Sequence, residues 1–350
     1  QCLVGSEMCI RDRHSIFQKL IRLIGRKNTA RLQMAVKYVV TFRKVYTADS
    51  KTHGNESFIS PPRVVFIIDG KTPHGGLSDR LRGLFSIYYY CKQRGYTFKV
   101  AWNYPFKLED YLMPVHENWV ADEADLTHDK KVVDFRFFNN YVGMSGHQAD
   151  YFSLLDFKKP ICHVYSSITQ REDLYPAFFQ ELFKPAPRLE QAISQCLQEI
   201  GGKYITVSFR FIGILGDFKD HAGFGEELTV EEKRYYIKKS LACLEQLHMR
   251  HPQCYKIVVT TDSPYFLKLV KSLSYVYVIP GRLEHMDYAV VDDYEVHLKT
   301  FLDFMIITKA EKSYSYQYGK MYGATKFALT AALIGNNELS LIHISEPTRH

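Results

Sequence analysis

After Pro62 the chain alternates short, strongly apolar runs with stretches of helical period. RVVFIID (63–69) reads as a β-branched strand, 79–94 repeats its apolar positions as a helix does, and YTFKVAW (96–102) is again strand-like. KPICHVYSS (159–167) adds another strand, whereas 103–157 is aromatic, loop-rich and without regular period. Past KPAPR (184–188) a helix to Ile200 opens a second, cleaner series. It runs strand KYITVSFRF (203–211), helix to about Met249 behind TVEE (229–232), strand YKIVVTTD (255–262) and helix 264–273. Strand YVYVIPG (275–281), helix 294–309, strand KSYSYQYG (312–319) and helix 323–334 complete it. Thr229 with Glu232 is a capping box. Such alternation predicts parallel α/β layers in two domains, 62–195 and 196–338, with the boundary inside 185–201 and no internal sequence repeat.

Charge sharpens this picture. The chain has 350 residues and a net charge of +7, but 14–46 carries eight Lys or Arg and no acid, which leaves −1 for 47–338. A basic nucleic-acid-binding body is therefore not expected. The basic segment, 14–61, mixes its cations with Ile16, Phe17, Leu20, Ile21, Leu23 and Ile24. It reads equally as a peripheral contact with an anionic inner-membrane face and as a helix packed on the body. No apolar run reaches the roughly 18 residues of a membrane span, so a cytoplasmic protein is expected. Residues 1–13 and 339–350 resemble translated sequencing-library adapters and are set aside as non-native, which leaves the chain's own termini open. Outside them stand Cys91, Cys162, Cys196, Cys243 and Cys254 without a CxxC pair, a set that suits a reducing compartment and implies neither a disulfide scaffold nor a zinc site.

The candidate chemistry lies at strand ends. PHGGLSDRLRG (73–83) follows the first strand, so Gly75 and Gly76 allow close backbone approach, Asp79 starts a helix and Arg80 adds charge. GKT (70–72) lacks the earlier glycine of a phosphate loop, since Val65 stands there, and no GxGxxG is present. ADEAD (121–125) stands without such a loop and reads as chance. VDD (291–293) has the wrong spacing for the Asp-x-Asp of a metal-dependent transferase, so metal-free chemistry is expected. SFRFIGILGDF (208–218) delivers Arg210 near a strand's C-terminal end, where a guanidinium fork suits a phosphate or pairs with Asp217. TTDSP (260–264) places Asp262 as an N-cap or a ligand contact. GKMYGATKFALTAALIG (319–335) turns the N–H groups of Gly323, Ala324 and Thr325 toward an anion at a helix start.

Together, these four motifs resemble bacterial-type GT-B fucosyltransferases, the family of nodulation, xyloglucan, α1,2 and α1,6 enzymes. That family shows GLGDRLRG where this chain has GGLSDRLRG, an HxRxxD-like strand where it has SFRFIGILGD, (A/T)TD where it has VVTTD, and GxSxFSxxAA where it has YGATKFALTAA. The resemblance spans 63–335 and implies two Rossmann-like domains facing across a cleft. It implies an inverting, metal-independent and cofactor-free transfer of L-fucose from GDP-fucose to a glycan hydroxyl in surface polysaccharide or glycoconjugate synthesis. Arg210 would neutralise the leaving diphosphate, and Asp79 or, next, Asp217 would serve as base. Gly75, Gly76, Arg80, Asp262, Gly323, Ala324 and Thr325 would contact the donor. Two departures stand out: Ser208 replaces the usual His, and Thr325 with Lys326 replaces common serines. They keep open another nucleotide sugar as donor, or a non-catalytic glycan-binding relic.

Overall fold

A computed structural model describes residue 23 and residues 61–72, 74–129, 131–138, 157–217, 227–284, 286, 293–322 and 325–344. The basic segment, apart from Leu23 and Pro61, lies outside them, and with it the membrane reading; so do Gly323 and Ala324.

Two parallel sheets form the frame. In the first, β1 (Arg63–Ile68) lies between β2 (Thr97–Trp102) and β5 (Ile161–Ser166), with β4 (Val133–Phe138) outside β5. In the second, β7 (Tyr204–Phe209) lies between β8 (Lys256–Thr261) and β10 (Lys312–Tyr318), with β9 (Val276–Tyr277) and β11 (Leu339–Ile344) at the edges. β7 is buried at every position and β1 at all but its first, as in parallel sheets covered on both faces. A short antiparallel ribbon pairs β3 (Leu112–Pro114) with β6 (Phe183–Pro185).

The helices are α1 (Leu77–Arg94), α2 (Tyr175–Leu182), α3 (Pro187–Ile200), α4 (Val230–Arg250), α5 (Pro264–Val270), α6 (Tyr294–Thr308) and α7 (Lys326–Ile334). The expected capping box opens α4: the Glu232 N–H donates to Thr229 Oγ1 and the Thr229 N–H to Glu232 Oε2. Among the described residues no helix is long and apolar enough to cross a membrane, and the five cysteines described are free and buried.

Three differences from the sequence expectation have local causes. β4 sits within the stretch read as irregular: its VDFRF alternates apolar and charged residues, with Val133 and Phe135 buried and Asp134 and Arg136 half-buried where it pairs with β5. The strand expected over 275–281 shrinks to Val276–Tyr277, since Pro280 and Gly281 withdraw the chain from the sheet. Residues 339–344, set aside as foreign, pair in parallel along β10 from Ser313↔Leu339 to Tyr318↔Ile344, which an alternating LSLIHI at an open sheet edge can do.

The halves share one core. Side chains of β1, α1 and α2 pack in the same buried cluster as those of α3, α6 and α7. At its margin the Tyr111 ring stacks on Tyr294 (4.6 Å) and Phe301 (4.3 Å) of α6, and its hydroxyl donates to the Tyr294 carbonyl at 2.9 Å.

Candidate functional site

Both sheets direct their strand C-termini at one cleft of about 300 Å³, near the lower end of small-molecule sites. Each sheet contributes the point where its strand order reverses, β1 beside β5 and β10 beside β7, the place where open α/β sheets bind ligands.

The wall from the first half is the start of α1: Gly76, Leu77, Ser78 and Asp79. The two glycines do different work. Gly75 has φ of +77°, and a Cβ there would lie 2.8 Å from Asp79 Oδ2. Gly76 has an extended backbone (φ −74°, ψ 177°), no neighbour within 4 Å of a Cβ, and serves as an N-cap without a side-chain hydrogen bond. The first-turn N–H groups of α1 therefore reach the cleft without a capping side chain. Asp79 stands 44% exposed beside Arg82, 3.4 Å away. Arg80 turns the other way: it is fully buried, donates to the carbonyls of Gly75 (2.9 Å) and Tyr104 (2.7 Å), and lies over Trp102. It holds the loop's shape and does not line the cleft.

Beneath that loop is a polar knot that the sequence reading missed. Asp69 accepts from Tyr165 Oη at 2.7 Å and from the Lys71 N–H at 3.0 Å, with His74 3.7 Å away. Burial pushes the Asp69 carboxyl up, but His74, Tyr165 and Lys71 outweigh it and hold its pKa below the usual carboxylate value.

The wall from the second half carries Arg210, just past β7, with Tyr322 on the loop after β10 and Thr325, Lys326 and Phe327 at the start of α7. Thr325 is the α7 N-cap and makes no side-chain capping bond, so the start of α7 and the cationic residues Arg210 and Lys326 all border this side. Arg210 also stands over the Tyr322 ring at 6.0 Å.

Asp262 lines the cleft but does not cap the helix that follows it. Ser263 caps α5, while the Asp262 carboxylate accepts from the Phe211 and Ile212 N–H groups, both at 2.8 Å, and so clamps the loop that presents Arg210. Burial raises its pKa, opposed by Arg210 and these two N–H groups. Asp217 is turned away: its Oδ2 accepts from Ser263 Oγ at 2.6 Å and from the Tyr265 N–H at 2.8 Å, at the head of α5. It does not pair with Arg210 and stands apart from the cleft lining.

Ser208 and Thr260, register partners on β7 and β8, share a hydroxyl hydrogen bond of 2.7 Å in the cleft floor. Glu284, Thr300 and Asp303 also line the cleft. The sequence reading named none of these; Asp303 carried a signal that it passed over, an acid inside the apolar run of α6 with Lys299 four residues before it. The two form a buried pair at 2.8 Å, in which burial raises the Asp303 pKa against the pull of Lys299. Glu284 gave no such signal. Among the described residues no group of three or more His, Cys, Asp or Glu is placed to hold a metal ion.

No family model and no curated protein matches the sequence. Solved structures do resemble the fold. NodZ α1,6-fucosyltransferase co-crystallised with GDP is similar at a TM-score of 0.50 and 15% identity, over 79% of this chain and 93% of that one. The fucosyltransferase NodZ from Bradyrhizobium gives 0.50 and 15% over 79% and 94%, and POFUT1 in complex with GDP-fucose gives 0.42 and 10% over 80% and 98%. The likeness to NodZ shows a shared fold of two Rossmann-like halves across a cleft.

Proposed function

We propose that the chain is an inverting, metal-independent glycosyltransferase that moves L-fucose from GDP-fucose to a glycan hydroxyl in surface polysaccharide or glycoconjugate synthesis. The observation that carries this reading is the convergence of Arg210, Lys326 and the open N-terminus of α7 on one side of the cleft, with Asp79 on the facing wall. The first set suits a diphosphate, and the donor choice rests on the motif resemblance and on a fold shared with an enzyme co-crystallised with GDP.

Departure of GDP leaves an oxocarbenium-like fucosyl centre, so neutralising the leaving oxygen by Arg210 is where most rate is gained. The acceptor hydroxyl attacks from the opposite face and gives an α-fucoside. Asp79, on the wall facing Arg210, takes its proton. Gly76 leaves the space for sugar and acceptor to approach. Asp262 and Arg80 act through the loops that they hold.

One observation favours a second donor. Where the family has a His this chain has Ser208, bonded to Thr260, so a nucleotide sugar other than GDP-fucose fits the same chemistry. A thermal-shift screen of nucleotide sugars decides, because a donor at 100 times its Kd stabilises by about 2.7 kcal/mol. Arg210→Lys is expected to fold and to lose about 100-fold in turnover, since a point charge does not reproduce a guanidinium fork; unchanged turnover would end the diphosphate role. Transfer is expected to persist in excess EDTA, and a complete loss restored by a divalent cation would refute the metal-free mechanism.

A further inference from the structure

One mostly buried acid of the first half takes no part in the chemistry proposed for the cleft. Asp69 follows β1 directly, where β1 runs beside β5, and its side chain is 15% exposed. Tyr165, on β5, donates its hydroxyl to Asp69 Oδ2 at 2.7 Å, and the Lys71 N–H donates to Oδ1 at 3.0 Å. The His74 ring completes the knot. It stacks on Tyr165 with centroids 5.9 Å apart, sets Nε2 3.7 Å from Asp69 Oδ1 and accepts from the Gly70 N–H at 3.3 Å. Two further ties hold the same turn: Tyr104 lies over Gly70, where a Cβ would come within 2.6 Å of its ring, and Arg80 joins the carbonyls of Tyr104 and Gly75. Ending a strand requires none of this, and a carboxylate taken out of water is costly unless donors meet it. Directly after His74 and Gly75 comes Gly76, where the first-half wall of the cleft begins.

Resting on the nucleotide-sugar reading above, we propose that Asp69 is a positioning residue: through Tyr165, His74 and the Lys71 N–H it fixes the turn that sets Gly76 and the start of α1 against the donor's sugar. Asp69 itself touches no ligand. In that reading the second half holds the nucleoside diphosphate, through Arg210 and the start of α7, so loosening the knot weakens contacts to the sugar and spares those to the nucleotide. Gly76, Leu77, Ser78 and Asp79 are consecutive at the head of one helix, so a small shift of the turn moves this whole wall, and a site is only as precise as the residues that support it.

Calorimetric titration of the full chain with GDP and with GDP-fucose tests this. Asp69→Asn keeps the shape of the side chain and removes its charge. It is expected to bind GDP as the wild type does and GDP-fucose about 10-fold more weakly, as for one lost hydrogen bond. Tyr165→Phe leaves the carboxylate and takes one donor away; it is expected to weaken GDP-fucose by a few-fold, again sparing GDP, and it carries the test if Asp69→Asn does not fold. Lys71→Ala keeps the N–H and removes only a half-exposed ammonium 3.9 Å from the carboxylate, so both affinities are expected to stay as they are. The proposal falls if the folded knot variants bind GDP-fucose like the wild type, or if GDP weakens as much as GDP-fucose, which would make the knot a support of the whole cleft. It also falls if Lys71→Ala reproduces the loss, which would make surface charge the cause, or if neither knot variant folds, which would make the knot a requirement of the fold. A wild type that binds GDP but not GDP-fucose removes the donor assignment and this inference with it; a wild type that binds neither removes the nucleotide reading as well.

Discussion

Single side chains in this protein take their roles from what surrounds them. Arg80 and Arg82 lie two positions apart on α1, yet the first is sealed in the core against two carbonyls and the second pairs with Asp79 near the cleft. Residue type announced both as cations and did not separate them. His163 shows the same dependence. Its Nε2 is 2.7 Å from the Asp125 carbonyl in a buried site, and burial pushes its pKa down to about 4. The unfolded imidazole protonates near pH 6.5, so its contribution to stability is whole above about pH 6.5, declines as pH falls toward about 4, and is constant below. A shift of this size corresponds to something on the order of 3 kcal/mol. His163→Gln, neutral throughout, is expected to show a shallower fall in Tm between pH 7 and pH 4.5 than the wild type. Parallel curves would mean that His163 is not the titrating group.

At the scale of elements, the glycines of the first motif separate packing from function. A Cβ on Gly83 would lie 2.0 Å from the Ser166 carbonyl, so Gly83 is what lets α1 lie against β5. Gly83→Ala is expected to cost about 1–3 kcal/mol in chemical denaturation, because helix and strand must separate. Gly76→Ala meets no atom within 4 Å and keeps an ordinary backbone conformation, so stability is expected to change by about 0.5 kcal/mol or less. Its methyl group intrudes on the cleft at the start of α1, and KM for the donor is expected to rise. A Gly76→Ala variant with native stability and native KM would show that donor does not approach this turn. The α4 capping box and the strand-glycine-helix turn after β1 were both legible in advance, since each is fixed by residues a few positions apart.

For the whole molecule, the joint between the halves decides how the cleft walls meet. Tyr111, from the first half, is fully buried between Tyr294 and Phe301 of α6, and α6 also supplies Thr300 and Asp303 to the cleft. Tyr111→Ala removes a buried ring and its hydroxyl bond to the Tyr294 carbonyl, and is expected to cost about 3–5 kcal/mol. Calorimetry is expected to show one thermal transition splitting into two as the halves uncouple. A single transition shifted down would mean that the remaining shared core, in α1, α2 and α7, is joint enough.

The sequence by itself determined the alternation of strands and helices, the parallel class, the two series and the turn positions of Gly76, Arg210, Asp262 and Thr325. Burial periodicity and turn chemistry are local, so a run such as RVVFII or YITVSF declares its strand without knowing its neighbours. Only the tertiary structure decided that Asp217 faces α5, that Asp262 clamps the Arg210 loop and that Glu284 and Asp303 reach the cleft. Those facts depend on residues tens to hundreds of positions apart meeting where β1 and β7 end, and no pattern along one segment encodes the far side of such a contact. A side chain's charge is written in the sequence; whether water, a backbone N–H or a ligand answers that charge is settled by packing.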